Sequence, residues 1–262
     1  MPKENPMKRK PIVGMSLKIY VNRMEEAKIM AEEMLKRLGH LTDVDLFLIP
    51  SMGTLYPVAE VLKGSTIRYG VQNIAPKENG AYTGEFSIES AEDLSCSLVE
   101  LGHAERKSLF METSEMINEK VHLTLRYGMW PIVCIGEREK GEGRKDALKE
   151  QILSYLKDVA PEAFRSIVLA YEPEWAIGQP EPAKASYVHE SMAIIREIVK
   201  EAFGKEASEE VRLIYGGSAK KETATEITGS EDVDGLFIGR FGHNMDNLEA
   251  IVTNVRKAKE GE

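Results

Sequence analysis

Three short segments hold residues able to move a proton on an anionic substrate. The run Ala170–Gly178, AYEPEWAIG, places Glu172 where the apolar stretch Ile167–Tyr171 ends. A continuous, β-rich stretch of this kind reads as a strand buried on both faces. A carboxylate at its end is partly withdrawn from water, which raises its pKa and makes it a usable base near neutral pH. Alone, the same residue could be a loop carboxylate that meets only solvent. In Val99–Arg106, VELGHAER, His103 follows another apolar run, Leu98–Leu101, and a glycine. A histidine there can aim its ring at the N-terminus of a following helix, whose positive end disfavours the imidazolium. The neutral ring can then donate to a carbonyl oxygen. In Ile12–Lys18, IVGMSLK, Lys18 follows the first apolar run, where an ammonium could neutralise substrate charge. A lone lysine is usually a solvated surface charge and a lone histidine a structural one. The three gain meaning only if the fold gathers them.

The elements that could gather them are eight short apolar runs separated by helix-period stretches. Candidate strands are Ile12–Met15, Asp45–Ile49, Ile67–Val71, Leu98–Leu101, Pro131–Ile135, Ile167–Tyr171, Val211–Ile214 and Gly235–Ile238. Amphipathic stretches between them include Arg23–Leu38, Ser114–Arg126, Arg144–Lys157 and Ser186–Ala202. Eight βα units predict an α/β fold, a (β/α)8 barrel forming a single domain over 1–262, with 1–10 a flexible N-terminal extension. A doubly wound open sheet shows the same alternation, but no Gly-x-Gly-x-x-Gly follows the first strand. In a parallel barrel the carboxyl ends of all strands face one side, so Lys18, His103, Glu172, Ser218 and Gly239 should converge there.

Composition bounds what the site can serve. A 262-residue chain with 42% hydrophobic residues can bury a sizeable core. The net charge of −9 argues against nucleic acid or a membrane surface as partner. An anionic substrate must therefore be drawn by local positive charge. Cys96 and Cys134 are too few for a disulfide framework and fit a reducing cytoplasm. Met1–Pro11 has charges and prolines without an apolar core, so it is no signal peptide, and no run approaches the roughly 20 residues of a membrane span. The five histidines are scattered, and no metal cluster is evident.

Taken in order along nearly the whole chain, the motifs resemble the triosephosphate isomerase family. Met15-Ser16-Leu17-Lys18-Ile19-Tyr20 stands for the family's Gly-Asn-Trp-Lys-Met-Asn, followed by Gln72-Asn73, the loop Gly80–Glu85, Leu101–Arg106, Tyr171–Gly178 and Tyr215-Gly216-Gly217-Ser218. The resemblance implies aldose–ketose isomerisation through an enediol, with Glu172 as base and His103 as electrophile. It implies that Lys18 offsets substrate charge, that Glu105 holds the charge network, and that no metal or organic cofactor is required. The phosphate grip falls to Gly178, Ser218, Gly239 and Arg240, with Pro173 to Gln179 as a lid. Arg106 is expected to pair with a carboxylate such as Glu112 rather than to touch substrate. The Gly80–Glu85 loop implies a homodimer, and glycolysis, gluconeogenesis and the cytoplasm are the implied setting.

Several positions depart from that pattern. Ser16 stands where the family has Asn, Ala104 where it has Ser, and Arg240 where a second glycine is usual. The lid's far hinge, Gln179-Pro180-Glu181-Pro182, carries two prolines and should be stiff. Ser16 and Arg240 are similar to a branch that converts L-erythrulose 1-phosphate to D-erythrulose 4-phosphate. The expected substrates are thus glyceraldehyde 3-phosphate and dihydroxyacetone phosphate, with the four-carbon ketose as the alternative. A non-catalytic phosphosugar-binding barrel is the alternative of another class.

Overall fold

The computed structural model describes residues 9–178 and 183–260. Eight parallel strands follow one another around a closed barrel: β1 (Ile12–Ser16), β2 (Asp45–Ile49), β3 (Ile67–Val71), β4 (Leu98–Leu101), β5 (Trp130–Ile135), β6 (Val168–Tyr171), β7 (Arg212–Tyr215) and β8 (Gly235–Ile238). β1 pairs with both β2 and β8, which closes the sheet and excludes the open-sheet alternative. Outside it lie α1 (Met24–Leu38), α2 (Leu55–Leu62), α3 (Ile88–Asp93), α4 (Ala104–Leu109), α5 (Ser114–Arg126), α6 (Arg144–Tyr155), α7 (Ala185–Phe203), α8 (Lys205–Glu210), α9 (Lys221–Thr228) and α10 (Met245–Glu260).

Strand alternation sorts the side chains into two cores. Ile12, Phe47, Leu98, Ile132, Val168, Ile214 and Phe237 point inward and plug the barrel. Their neighbours Val13, Leu46, Val99, Val133, Leu169, Leu213 and Leu236 point outward and pack under the helices. The same alternation, carried toward the carboxyl ends, sends Ser16 of β1, Glu100 of β4 and Glu172 just beyond β6 to the inward side. There the apolar plug stops and a cavity opens.

Strand limits differ from the sequence reading by one residue where a neighbouring turn competes for the backbone. The Ile167 N–H closes the 3-10 turn Pro161–Ser166 by bonding Phe164 O, so β6 starts at Val168. The Val211 N–H bonds Ala207 O at the end of α8, so β7 starts at Arg212 and runs on to Tyr215. At the opposite end of the barrel from the cavity, Trp130 carries the guanidinium groups of Arg68 and Arg212 over its ring, at 3.6 and 4.1 Å from the centroid.

Residues 1–8 of the expected N-terminal extension lie outside the described residues, as does the Gln179–Pro182 hinge. The last two extension residues are tied to the barrel. Arg9 Nε donates to Asp234 Oδ1 at 2.7 Å, and Lys10 Nζ to Asp45 Oδ1 at 2.7 Å.

Candidate active site

Glu172 is placed by the backbone that carries it and by two glycines beside it. Its N–H continues the β5–β6 ladder by bonding Ile135 O at 2.8 Å. A Cβ on Gly136 would sit 1.9 Å from Glu172 O, and one on Gly216 would sit 2.4 Å from Glu172 Cγ. The Glu172 backbone fills the space left at Gly136, and its side chain the space left at Gly216. Only 5% of the residue is exposed, and Oε2 has no hydrogen-bond partner among the described residues. Burial, then the nearby Glu100 carboxylate, push the Glu172 pKa up to about 8, against the pull of Lys18 and Lys107.

His103 is the N-cap of α4. Its Nδ1 accepts the Glu105 backbone N–H at 3.2 Å, as an N-cap side chain should. An accepting Nδ1 puts the ring proton on Nε2, a tautomer assigned from this hydrogen bond. Nε2 faces the cavity, 3.4 Å from Glu172 Oε2. Burial, reinforced by the charges of Lys18 and Lys107, lowers the His103 pKa to about 4. The ring is therefore neutral at physiological pH and presents an N–H donor.

Lys18 Nζ donates to Glu105 Oε1 at 2.5 Å, across 87 residues of sequence. Burial opposes its charge, but Glu105, with Glu172 and Glu100 beyond, outweighs this and raises its pKa. The Lys18 backbone has φ of 47°, a left-handed conformation costly for a side chain other than glycine. Gln72 Nε2 donates to Lys18 O at 2.7 Å and helps hold it.

All the residues singled out from sequence line one cavity of about 610 Å³: Lys18, His103, Glu105, Glu172, Ser16, Gly178, Ser218, Gly239 and Arg240. Gly178, Ser218, Gly239 and Arg240 lie beyond β6, β7 and β8, so one side of the mouth is rich in loop backbone. Arg240 leans over the Tyr20 ring at 5.5 Å. Arg106 reaches Glu112 only at 4.0 Å and shares its charge with Glu85 at 3.7 Å. Glu112 is held more closely by the buried Lys120, which also donates to Asn73.

The start of the segment expected to act as a lid is tethered. Glu137, 2% exposed, accepts from Trp175 Nε1 at 2.9 Å, Tyr187 OH at 2.8 Å and Tyr171 OH at 3.0 Å. Lys107 Nζ pairs with Glu174 at 2.9 Å. The Trp175 ring also stands edge-on to Tyr187.

Sequence reasoning missed Glu137 and Glu100. Nothing local marks Glu137, because its donors come from three elements. Glu100 did carry a signal: a charge inside the apolar run LVEL, on the strand face that turns inward. It is 3% exposed, and burial raises its pKa to about 7, partly offset by the Ser16 hydroxyl and Lys18.

The triosephosphate isomerase family model matches residues 11–255. A relative from Listeria monocytogenes, named probable triosephosphate isomerase 2, is 45% identical over 254 residues, covering 96% of this chain and 99% of its own. Triosephosphate isomerase 2 of Listeria innocua is 44% identical over the same span. The triosephosphate isomerase of Carboxydothermus hydrogenoformans is 36% identical over 247 residues, covering 93% and 98% of the two chains.

Proposed function

Because the chain belongs to the triosephosphate isomerase family, and is an isomerase, we propose that it interconverts D-glyceraldehyde 3-phosphate and dihydroxyacetone phosphate. The observation that supports this best is a buried Glu172 oxygen, without a hydrogen-bond partner among the described residues, lying 3.4 Å from the neutral His103 Nε2. The Glu172 carboxylate takes the proton from the carbon beside the substrate carbonyl. His103 Nε2–H donates to that carbonyl oxygen as negative charge develops on it, and Lys18 offsets the charge. The resulting enediol recovers its proton from Glu172 on the neighbouring carbon. One C–H bond breaks and another forms, His103 Nε2 gives its proton to the developing hydroxyl and takes one back from the neighbouring hydroxyl, and no outside oxidant or reductant enters. A base with pKa near the working pH balances availability of the carboxylate against its basicity.

In this reading the amides near Gly178, Ser218 and Gly239, with Arg240, hold the phosphate, and lid closure over it excludes water. The enzyme then serves glycolysis and gluconeogenesis in the cytoplasm. A second copy is the proposed partner, through the Gly80–Glu85 loop. Exposed Ile19, Tyr82, Leu109, Phe110 and Met111 support an apolar contact on this side. Sedimentation equilibrium should give twice the chain mass, and a monomer at micromolar concentration would remove that part of the proposal.

A specific observation favours a second substrate. Ser16 and Glu100 make a polar floor that a triose leaves unused, which suits L-erythrulose 1-phosphate. The test is kcat/KM on glyceraldehyde 3-phosphate and on L-erythrulose 1-phosphate with the same preparation. Values for the triose near the diffusional ceiling of roughly 10⁸–10⁹ M⁻¹s⁻¹ support the first reading. A strong preference for the tetrulose moves the assignment to the second, and inertness toward both defeats the two together.

A further inference from the structure

Glu100 is a buried acid that the proton-transfer chemistry does not use. It occupies the inward position of β4, one turn of the pleat below His103, and lines the cavity beside Glu172. Its Oε2 has no hydrogen-bond partner among the described residues, and neither has Ser16 Oγ, on β1. Both residues are more than nine-tenths buried. A carboxyl oxygen and a hydroxyl that meet only each other, short of good hydrogen-bond geometry, carry a desolvation penalty that a ligand hydroxyl can relieve.

Their place in the barrel says which part of a ligand would do so. The proposed phosphate grip lies beyond β6, β7 and β8, and in a closed eight-stranded ring β4 stands opposite β8. With its phosphate on that side, a substrate runs past Glu172 and His103 with its reacting carbon. The next atoms beyond that carbon approach Glu100 and Ser16. A triose has only hydrogen and hydroxyl on this carbon. A four-carbon ketose phosphate has a hydroxymethyl group there as well.

We propose that Glu100, with Ser16, forms a subsite for a hydroxymethyl group on the carbon that loses its proton, making Glu100 the residue through which the site accepts a four-carbon phosphosugar beside a three-carbon one. Glu100 accepts the added hydroxyl proton in a hydrogen bond, and Ser16 leaves room for the extra carbon. The inference rests on the isomerase reading above and concerns its second substrate.

The experiment measures kcat/KM on L-erythrulose 1-phosphate and glyceraldehyde 3-phosphate for wild type, Glu100→Gln and Glu100→Leu. Wild type is expected to turn over both, and the readout is the ratio of the two values. Glu100→Leu is expected to shift the ratio of the two values toward the triose by about 10–100-fold, the range for a hydrogen bond to a charged group. Glu100→Gln, which keeps an acceptor, is expected to shift it less. An unchanged ratio in Glu100→Leu overturns the inference while leaving the isomerase reading intact, whereas a wild type inert on both substrates defeats that reading itself. Calorimetry on the wild type covers the case of a variant that does not fold. Erythritol 4-phosphate should bind at least about tenfold more tightly than glycerol 3-phosphate, and equal affinities overturn the subsite.

Discussion

Glu172 Oε2 and His103 Nε2 face each other at 3.4 Å, close enough for one small ligand to touch both. Each has its charge suppressed by burial, in opposite senses. Burial holds a proton on Glu172 up to about pH 8 and keeps the second proton off His103 down to about pH 4.

The acid limb of kcat/KM should therefore lie high, with its midpoint near pH 8, above the ionisation of a phosphate monoester near 6. The groups that set it are Glu100 on β4, Lys18 after β1, Lys107 on α4 and Cys134 on β5. Glu100→Gln removes the repelling carboxylate, so the limb should move to lower pH. A rate profile for the two proteins checks this, and coincident midpoints would count against it.

Glu172→Gln should lower turnover by about 10²–10⁴-fold, the usual range for a positioned base, while changing glycerol 3-phosphate affinity little. It should also stabilise the fold at high pH. A carboxyl whose folded pKa is raised from 4.5 to about 8 helps stability fully below 4.5 and loses that help as pH rises through 8. Glutamine carries no such penalty. Thermal melts should show the variant higher by about 5 °C at pH 9, with the gap closing by pH 4.

Neutral His103 should be visible directly. In ¹⁵N NMR its ring should keep one protonated nitrogen, Nε2, from pH 8 down to about 5, with protonation of Nδ1 only near pH 4. His103→Gln, which retains a donor on a floppier arm, should lose roughly 10²–10³-fold in kcat.

Gly216→Ala adds a methyl carbon 2.4 Å from Glu172 Cγ and 2.6 Å from its Oε1. The carboxylate must move by an ångström or so. Misplacement on that scale should reduce kcat by about 10²-fold, and the effect on phosphate-ligand affinity should be much smaller. Steady-state kinetics with calorimetry separates the two.

Much of this architecture is readable in the chain because each strand is a buried run with a sharp end. The limits of β2, β3, β4 and β8 coincide with the apolar runs, whereas β6 and β7 shift because Ile167 and Val211 spend their N–H groups on adjoining turns. Glu172, His103 and Lys18 are readable as residues at strand ends. The bond from Lys18 to Glu105 joins parts of the chain 87 residues apart, and only the family resemblance points to it beforehand. Glu100 escapes because an apolar run is judged by its average, and one charge within LVEL does not alter the average. Its importance comes from which way β4 faces, a property of the closed barrel.

The two tryptophans of the chain stand at opposite ends of the barrel. Trp175 ties the segment after β6 to Glu137 through its indole N–H, and Trp130 lies beneath two guanidinium groups at the far end. The protein thus carries two intrinsic fluorophores with separate duties. Emission from Trp175 should respond when a ligand draws the indole off its carboxylate, within the dead time of ordinary mixing. Emission from Trp130, blind to the ligand, should change only when the barrel itself comes apart. With either one replaced by phenylalanine, the same optical signal separates gating from unfolding without any added label.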